Sequence, residues 1–91
     1  MNSNETYTRD FLERSHKGCF CNKEEVLLGE LCGCFFCCEI SLPTEITEWI
    51  VEKDNLGETA VCPKCTMDSI LSSKYPVTDK TFLKEMHEHN F

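Results

Sequence analysis

The sequence predicts a small α+β domain organised around two cysteine knuckles. Two Cys-x-x-Cys pairs, Cys34/Cys37 and Cys62/Cys65, are separated by 24 residues. Short β-prone segments adjoin the pairs, and segments with helical periodicity lie towards both ends. The chain has only 91 residues, and its 41% hydrophobic fraction includes eight cysteines, so its core is thin without a staple such as a metal. We therefore predict a zinc-ribbon-like domain with a small antiparallel sheet and flanking helices.

The two cysteine pairs predict one closed metal site. Each pair can form a tight knuckle that directs two thiolates at one point, and four sulfurs suit a tetrahedral Zn²⁺ without an open position. The predicted ligands are Cys34, Cys37, Cys62 and Cys65. Iron fits the same tetrahedral set, so the spacing does not separate the two metals. A thioredoxin-like redox pair is disfavoured, because it requires one pair at a helix start in a βαβ setting.

Length and composition predict a single domain over residues 1–91, with an N-terminal helix in 1–18 and a zinc-ribbon-like core with a C-terminal helix in 22–91. The first 18 residues are polar and charged, unlike a signal peptide, and no stretch approaches a membrane span. We expect a cytoplasmic protein with reduced cysteines. A secreted chain with four disulfides is the competing interpretation.

A first amphipathic helix is predicted over residues 4–17, with Asn4 as its cap and Gly18 as its stop. A short helix should follow over 23–28, with Val26 and either Leu27 or Leu28 facing the core. Asn22 and Glu25 are predicted to cap the start of this helix, and Gly29 is predicted to end it.

The middle of the chain is predicted as strand, helix and strand. Residues 31–36 should be extended and lead into the first knuckle, and residues 39–40 should form a short strand. A helix should start at residue 41 or 42, with Pro43 in its first turn, and run to about residue 52. The predicted apolar stripe of this helix is Ile46, Trp49 and Ile50. Its predicted acidic face is Glu45, Glu48 and Glu52. Asn55 and Gly57 are expected to end it.

Two strands and a helix are predicted after this segment. Residues 59–61 are β-prone and precede the second knuckle, and residues 70–71 are a candidate strand beyond it. Residues 72–76 should form a loop. Thr78 is the expected N-cap of a helix over 79–88, and the buried stripe of that helix should be Phe82, Leu83 and Met86.

From about residue 22 onwards the chain resembles a group of short bacterial cytoplasmic proteins with a zinc-ribbon-like cysteine pattern. The motifs that carry the resemblance are CGCFFC at 32–37, PTEITEWI at 43–50, TAVCPKC at 59–65, MDSI at 67–70, YPVT at 75–78 and FLKEMH at 82–87. The resemblance implies a compact domain with paired Cys-x-x-Cys ligands and implies no known reaction. This chain departs from it in Cys19, Cys21 and Cys38, and in Thr66, where glycine is usual.

The other chemically active side chains have simpler interpretations. The remaining cysteines either form a second zinc site or, as we favour, are buried free thiols: Cys19, Cys21, Cys32 and Cys38. His16, His87 and His89 are expected at helix ends, where a positive charge is favourable, with metal binding or an interface as the alternative for the last two. Trp49 is expected in the core beside the metal; a binding patch with Tyr75 and Phe91 is the alternative.

These features favour a non-enzymatic, zinc-stabilised protein-interaction module, such as an inhibitor, immunity or adaptor protein. A formal charge of −7 disfavours the nucleic-acid role of many zinc ribbons. The extra cysteines keep a thiol-based redox or metal-handling protein as an alternative. The acidic residues of the predicted middle helix would form either a solvated face or a docking surface for a basic partner.

Overall fold

The structure is a computed structural model that describes residues 6–53 and 56–91. Within that part, two helices precede five short strands and a third helix follows them, so the domain is α+β, as predicted. The helices are α1 (Arg9–His16), α2 (Lys23–Leu28) and α3 (Lys80–Asn90). The strands are β1 (Cys32–Cys34), β2 (Ile40–Ser41), β3 (Trp49–Val51), β4 (Glu58–Ala60) and β5 (Ile70–Ser72). No helix in the described ranges is long and apolar enough to cross a membrane.

Two antiparallel sheets bring the cysteine knuckles together. The first has the strand order β2-β1-β5, and the second pairs β3 with β4. In the first sheet Cys34 lies opposite Ile70, so the end of β1 that enters the first knuckle is adjacent to the start of β5. Because β5 follows the second knuckle after only four residues, this register places the two knuckles side by side.

Two groups of buried side chains form the core. The first joins α1 to α3, and its members are Leu12, Phe35, Leu71, Val77, Phe82, Leu83 and Met86. The second surrounds the knuckles, and its members are Val26, Cys32, Cys34, Ile46, Ala60, Cys62 and Ile70. The predicted apolar stripe of α3 is therefore confirmed. The second group includes three of the eight cysteines, so their sulfur atoms form part of this core.

The predicted helix over residues 42–52 is wrong. Only a single 3-10 turn, Pro43–Glu45, forms there, and the chain then extends into strand β3. Trp49 pairs with Ala60 and Val51 with Glu58, so hydrogen bonding to β4 replaces the helical bonds. The run from Trp49 to Val51 is aromatic and β-branched, a composition that suits a strand as well as its spacing suits a helix.

The predicted acidic helix face is absent for the same reason. Glu45 folds back to accept a 2.8 Å hydrogen bond from the Leu42 backbone N–H. The Glu52 carboxylate accepts a hydrogen bond from the hydroxyl of Thr59, across the second sheet. The predicted stop Asn55 lies outside the described residues, and Gly57 belongs to the β3–β4 connection.

Several helix boundaries differ from the predictions. The described helix α1 starts after Thr8, whose hydroxyl oxygen accepts from the Phe11 N–H; the predicted cap Asn4 lies outside the described residues. Gly18 lies within a 3-10 turn that follows α1, where a Cβ atom would meet the Tyr75 ring at 2.5 Å. Helix α3 is capped by Asp79 and not by Thr78.

The predicted bounds of α2 are confirmed, but its predicted capping box is not. Asn22 occupies the N-cap position without a capping hydrogen bond, and the Glu25 carboxylate accepts from the Ser72 hydroxyl at 2.7 Å. Only Val26 of the helix is buried. Leu27 and Leu28 are exposed, contrary to the prediction that one of them faces the core.

Candidate metal centre

The structure brings the sulfurs of Cys34, Cys37, Cys62 and Cys65 together. All four Sγ atoms lie within 4.8 Å of one another. The Cys34 and Cys65 sulfurs are 3.6 Å apart, and those of Cys37 and Cys62 are 3.8 Å apart. Each close contact therefore joins one knuckle to the other.

These distances fit a metal held by four thiolates. A tetrahedron with Zn–S bonds of about 2.3 Å has S···S edges of about 3.8 Å. The two shortest sulfur contacts agree with that edge, and all four cysteines are free thiols and not disulfides. Four cysteine sulfurs also form a complete tetrahedral donor set for a soft or borderline metal. The arrangement can hold a metal ion without any further ligand.

Backbone N–H groups surround the sulfurs in the same pattern in both knuckles. The Phe36 N–H points to the Cys34 sulfur at 3.3 Å, and the Lys64 N–H points to the Cys62 sulfur at 3.4 Å. In each case the donor lies two residues after the cysteine. For the second cysteine of each knuckle, the backbone N–H groups of Glu39 and Met67 act to lower the pKa of Cys37 and of Cys65, against the larger effect of burial. Such N–H groups stabilise sulfur in its negatively charged, metal-binding form.

Each knuckle ends in a residue with left-handed backbone geometry. Cys38 has φ 61° and Thr66 has φ 67°. Each of these residues directly follows the second cysteine of its knuckle. The turn therefore requires a positive φ, and both residues adopt it although a Cβ atom disfavours this region. The Thr66 N–H also closes its knuckle with a 2.9 Å hydrogen bond to the Cys62 carbonyl.

The electrostatics of the cluster favour a bound cation. Burial alone would raise the pKa of Cys34, but hydrogen bonds from Ser69 at 3.1 Å and from backbone N–H groups lower it overall. Burial and the neighbouring Cys34 raise the pKa of Cys37, and burial, partly offset by the Met67 N–H, raises that of Cys65 to about 11. One negative sulfur thus hinders ionisation of the others. A metal ion in the centre removes this repulsion and favours four thiolates.

The remaining cysteines are not gathered into a second site. In the described part of the chain, the four knuckle cysteines are the only group of three or more potential ligands that lie close enough to hold a metal. Of the others only Cys32 is buried, and Cys19, Cys21 and Cys38 are partly exposed, so the prediction of buried thiols holds for one of the four. Burial, as the largest cause, raises the pKa of both Cys19 and Cys32 to about 11.

The histidines lie outside the sulfur cluster. His87 Nδ1 is 3.2 Å from the Phe35 carbonyl oxygen, which ties α3 to the first knuckle. His89 Nε2 is 3.8 Å from a carboxylate oxygen of Glu13 on α1. The two imidazoles therefore bind different parts of the chain, and both contacts join helix α3 to its neighbours.

The predicted aromatic residues are not gathered into one patch. Trp49 packs against the core group around the knuckles, as predicted, but it is only partly buried. The prediction that it is buried is therefore wrong. The Lys23 ammonium lies 5.2 Å from the centre of its ring. Tyr75 packs on the other core group, and Phe91 stacks near Phe36 and His87.

Ser69 is a residue of the site that the sequence pattern did not reveal. Its hydroxyl contacts the Cys34 sulfur, and it precedes the strand residue that lies opposite Cys34. A serine in that place has no local motif. Only the register between β1 and β5 would have indicated the contact.

Comparison of the chain with protein-family models, with curated proteins and with solved structures finds no match in any of the three. The resemblance to short bacterial cytoplasmic proteins therefore stays a prediction.

Proposed function

We propose that the chain is a non-enzymatic protein-interaction module whose fold is maintained by one structural Zn²⁺. The observation that carries this proposal is the closed sulfur cluster of Cys34, Cys37, Cys62 and Cys65. Four thiolates complete the tetrahedral coordination of zinc, so no position remains for a water molecule or a substrate. A metal held in this way contributes free energy of folding and has no vacancy for hydrolysis.

Zinc is the proposed ion because paired Cys-x-x-Cys knuckles are a common frame of structural zinc sites. Iron would use the same tetrahedral thiolate set. Metal analysis of the purified protein distinguishes the two, since each element is quantified directly. We expect zinc, in a cytoplasmic protein whose thiols are kept reduced.

A surface on α2 supports a role in protein binding. We call Leu27, Leu28 and Leu56 the leucine patch. Leu27 and Leu56 line one cavity of about 430 Å³ with Glu24 and Glu58, and Leu28 adjoins Leu27 and Glu24 at another. Leu28 is 88% exposed and Leu56 is 64% exposed. Adjoining exposed apolar side chains are a frequent mark of interaction sites, and the neighbouring Glu24 carboxylate would favour a basic partner. Glu58, at the same cavity, is already paired with Lys23 at 3.3 Å.

The two rival functions have less support. A formal charge of −7 makes approach to nucleic acid phosphates unfavourable. Redox or metal-exchange chemistry requires accessible thiolates. Cys19 and Cys32 outside the sulfur cluster have pKa values raised to about 11, primarily by burial, so their thiols stay protonated at neutral pH.

The proposal is tested by partner capture with zinc-loaded protein, beside gel-shift measurements with single- and double-stranded DNA and RNA. The bait variants are Leu28→Ser in the leucine patch and Leu42→Ser, which removes an exposed leucine elsewhere. We expect a captured protein that is lost with Leu28→Ser and retained with Leu42→Ser. Nucleic acid bound at micromolar concentration in physiological salt, with no captured protein, would contradict the proposal.

A further inference from the structure

A third cavity, of about 220 Å³, lies beside the first knuckle, and none of the leucine-patch residues lines it. Residues of the turn after α1, of the segment before β5 and of the C-terminal end of α3 form its wall. Its lining includes His16, Cys19, Phe20, Phe35, Asp68 and Phe91. Ser69, whose hydroxyl contacts the Cys34 sulfur, also lines this cavity, but none of the four knuckle cysteines and no residue of the leucine patch does.

Aromatic rings form much of the cavity wall. Phe35 is buried, and its ring centre lies 5.9 Å from that of Phe91 and 5.7 Å from that of His16. Phe20 and Phe91 are 52% and 55% exposed. Phenylalanine rings commonly bury most of their surface, so two half-exposed rings at one cavity are ready to be covered by a ligand group.

The Asp68 carboxylate gives the cavity a negative charge without a partner. It is exposed, and no ion pair among the described residues involves it. It is close enough to Cys19 to raise the pKa of that thiol, in addition to the larger effect of burial. An incoming cation would therefore be the counterion of Asp68.

The geometry points to this cavity as a recognition pocket for an arginine side chain of a basic partner protein. The inference rests on the proposed function and specifies the chemistry of the partner. Asp68 would accept hydrogen bonds from the guanidinium, and the Phe20 and Phe91 rings would cover its faces.

Other occupants fit the same wall less well. An apolar side chain would take water away from the Asp68 carboxylate without replacing its hydrogen bonds. An anion would be repelled by that carboxylate. Lysine carries a compact, strongly hydrated charge, whereas the planar and more weakly hydrated guanidinium both stacks on rings and pairs with a carboxylate.

The test is a titration of zinc-loaded, ¹⁵N-labelled full-length protein with N-acetyl-arginine amide, followed by amide chemical shifts. The neutral counterpart, N-acetyl-citrulline amide, has the same shape without the charge. Saturating shifts are expected at the cavity residues with the arginine probe. Asp68→Asn should weaken its affinity at least about threefold, as an exposed ion pair would. Phe20→Ala should also weaken it, and Glu30→Gln, which removes an exposed carboxylate elsewhere, should not.

Equal affinities of the arginine and citrulline probes for the wild-type protein would overturn the inference, and that comparison needs no variant to fold. An unchanged arginine affinity in Asp68→Asn would overturn it as well. Such a failure concerns this cavity alone, because partner capture through Leu28 is measured without the probe. If no protein is captured, or if capture is unchanged by Leu28→Ser, the proposed function is contradicted, while the titration still reports on the pocket.

Discussion

The side-chain amide nitrogen of Asn22 donates a 2.8 Å hydrogen bond to the backbone carbonyl of Ile70 in β5. The side-chain oxygen of Asn22 accepts a 3.1 Å hydrogen bond from the N–H of Ala60 in β4. The side-chain nitrogen of Asn22 also donates to the Gly18 carbonyl at 3.1 Å. One buried amide thus joins the two sheets and the turn after α1. It satisfies backbone groups that the strands themselves leave unpaired, which are costly to bury alone.

Asn22→Asp should therefore destabilise the protein by about 3 kcal/mol or more, because a carboxylate cannot donate to two buried carbonyls and carries an unpaired charge. Urea unfolding of the zinc-loaded protein measures this loss. The matched control is Asn90→Asp, since the Asn90 amide donates only to the Met86 carbonyl at the partly exposed end of α3. Equal losses in the two variants would contradict the linking role of Asn22.

Tyr7 and Asp79 form a contact between the start of the described chain and helix α3. The Tyr7 hydroxyl donates to the Asp79 carboxylate at 2.6 Å, and that side chain also caps α3 through the Thr81 N–H. The hydrogen bond to Asp79, followed by burial, raises the pKa of Tyr7 from 10.0 to about 12. The hydrogen bond from Tyr7 is the largest cause of the lowered pKa of Asp79.

We predict that Tyr7→Phe lowers the melting temperature at neutral pH and that the difference disappears in alkali. A raised pKa of Tyr7 in the folded state means that its stabilisation is complete below pH 10 and is lost as the pH rises towards 12. For Asp79 the pKa is lowered, so its stabilisation is present above pH 3.8 and is lost in acid.

Melting curves of wild type and Tyr7→Phe between pH 7 and pH 12 measure this window. The thiolates of the proposed zinc site stay deprotonated in that range, so their protonation does not contribute to the pH dependence. Tyr75→Phe is the matched control, since it removes the only other tyrosine hydroxyl of the chain. A Tyr7→Phe effect that is constant across the alkaline range would count against the contact.

Thr66→Gly should stabilise the protein by about 1 kcal/mol. Thr66 holds φ 67°, a region that costs a side chain with a Cβ atom roughly 1–2 kcal/mol and glycine nothing. Part of the gain is offset because glycine makes the unfolded chain more flexible. Thr47 is exposed and has no positive φ, so Thr47→Gly only makes the unfolded chain more flexible and should destabilise the protein. Denaturant unfolding of both variants decides the sign, and a loss of stability in Thr66→Gly would show that the threonine is favoured there.

The outcomes for individual segments show which parts of this fold can be predicted from sequence. Helix α2 and strand β5 follow from local signals, since Asn22 and Gly29 flank the helix as predicted, although without the predicted capping hydrogen bonds, and the β-prone run at 70–71 lies within the strand. The segment from Ile46 to Ile50 satisfies a helical spacing and a strand composition at once. Pairing of Trp49 with Ala60 decides between them, and such non-local pairing is invisible in a local pattern.

The candidate metal centre also has parts that the sequence predicts and parts that it does not. The clustering of the four knuckle cysteines follows from the spacing of the cysteine pairs, because a knuckle is a local structure. The hydrogen bond from Ser69 to Cys34 arises from the register of β1 on β5 and has no local signal. The cap of α3 is Asp79 and not Thr78, although both residue types cap helices; the bond from Tyr7 is a tertiary contact that selects Asp79.

Removal of the metal should unfold most of the protein. The core group around the knuckles contains Cys34 and Cys62, and without a cation the crowded sulfurs repel one another as they ionise. Cys37→Ser should have the same effect, because Cys37 is a ligand that contributes little apolar burial of its own. Circular dichroism measures the folded fraction, and metal analysis of the same sample measures the bound zinc. We expect one zinc ion per chain in the wild type.

Cys19→Ser is the control for that experiment, since Cys19 is a partly exposed thiol outside the sulfur cluster. It should retain the zinc and the fold. Zinc should also be released as the pH falls, because protons compete for the four sulfurs, and unfolding should follow the release. A Cys37→Ser protein that stays folded, or a wild-type protein that is folded after complete chelation, would show that the sulfur cluster is not what maintains this small core.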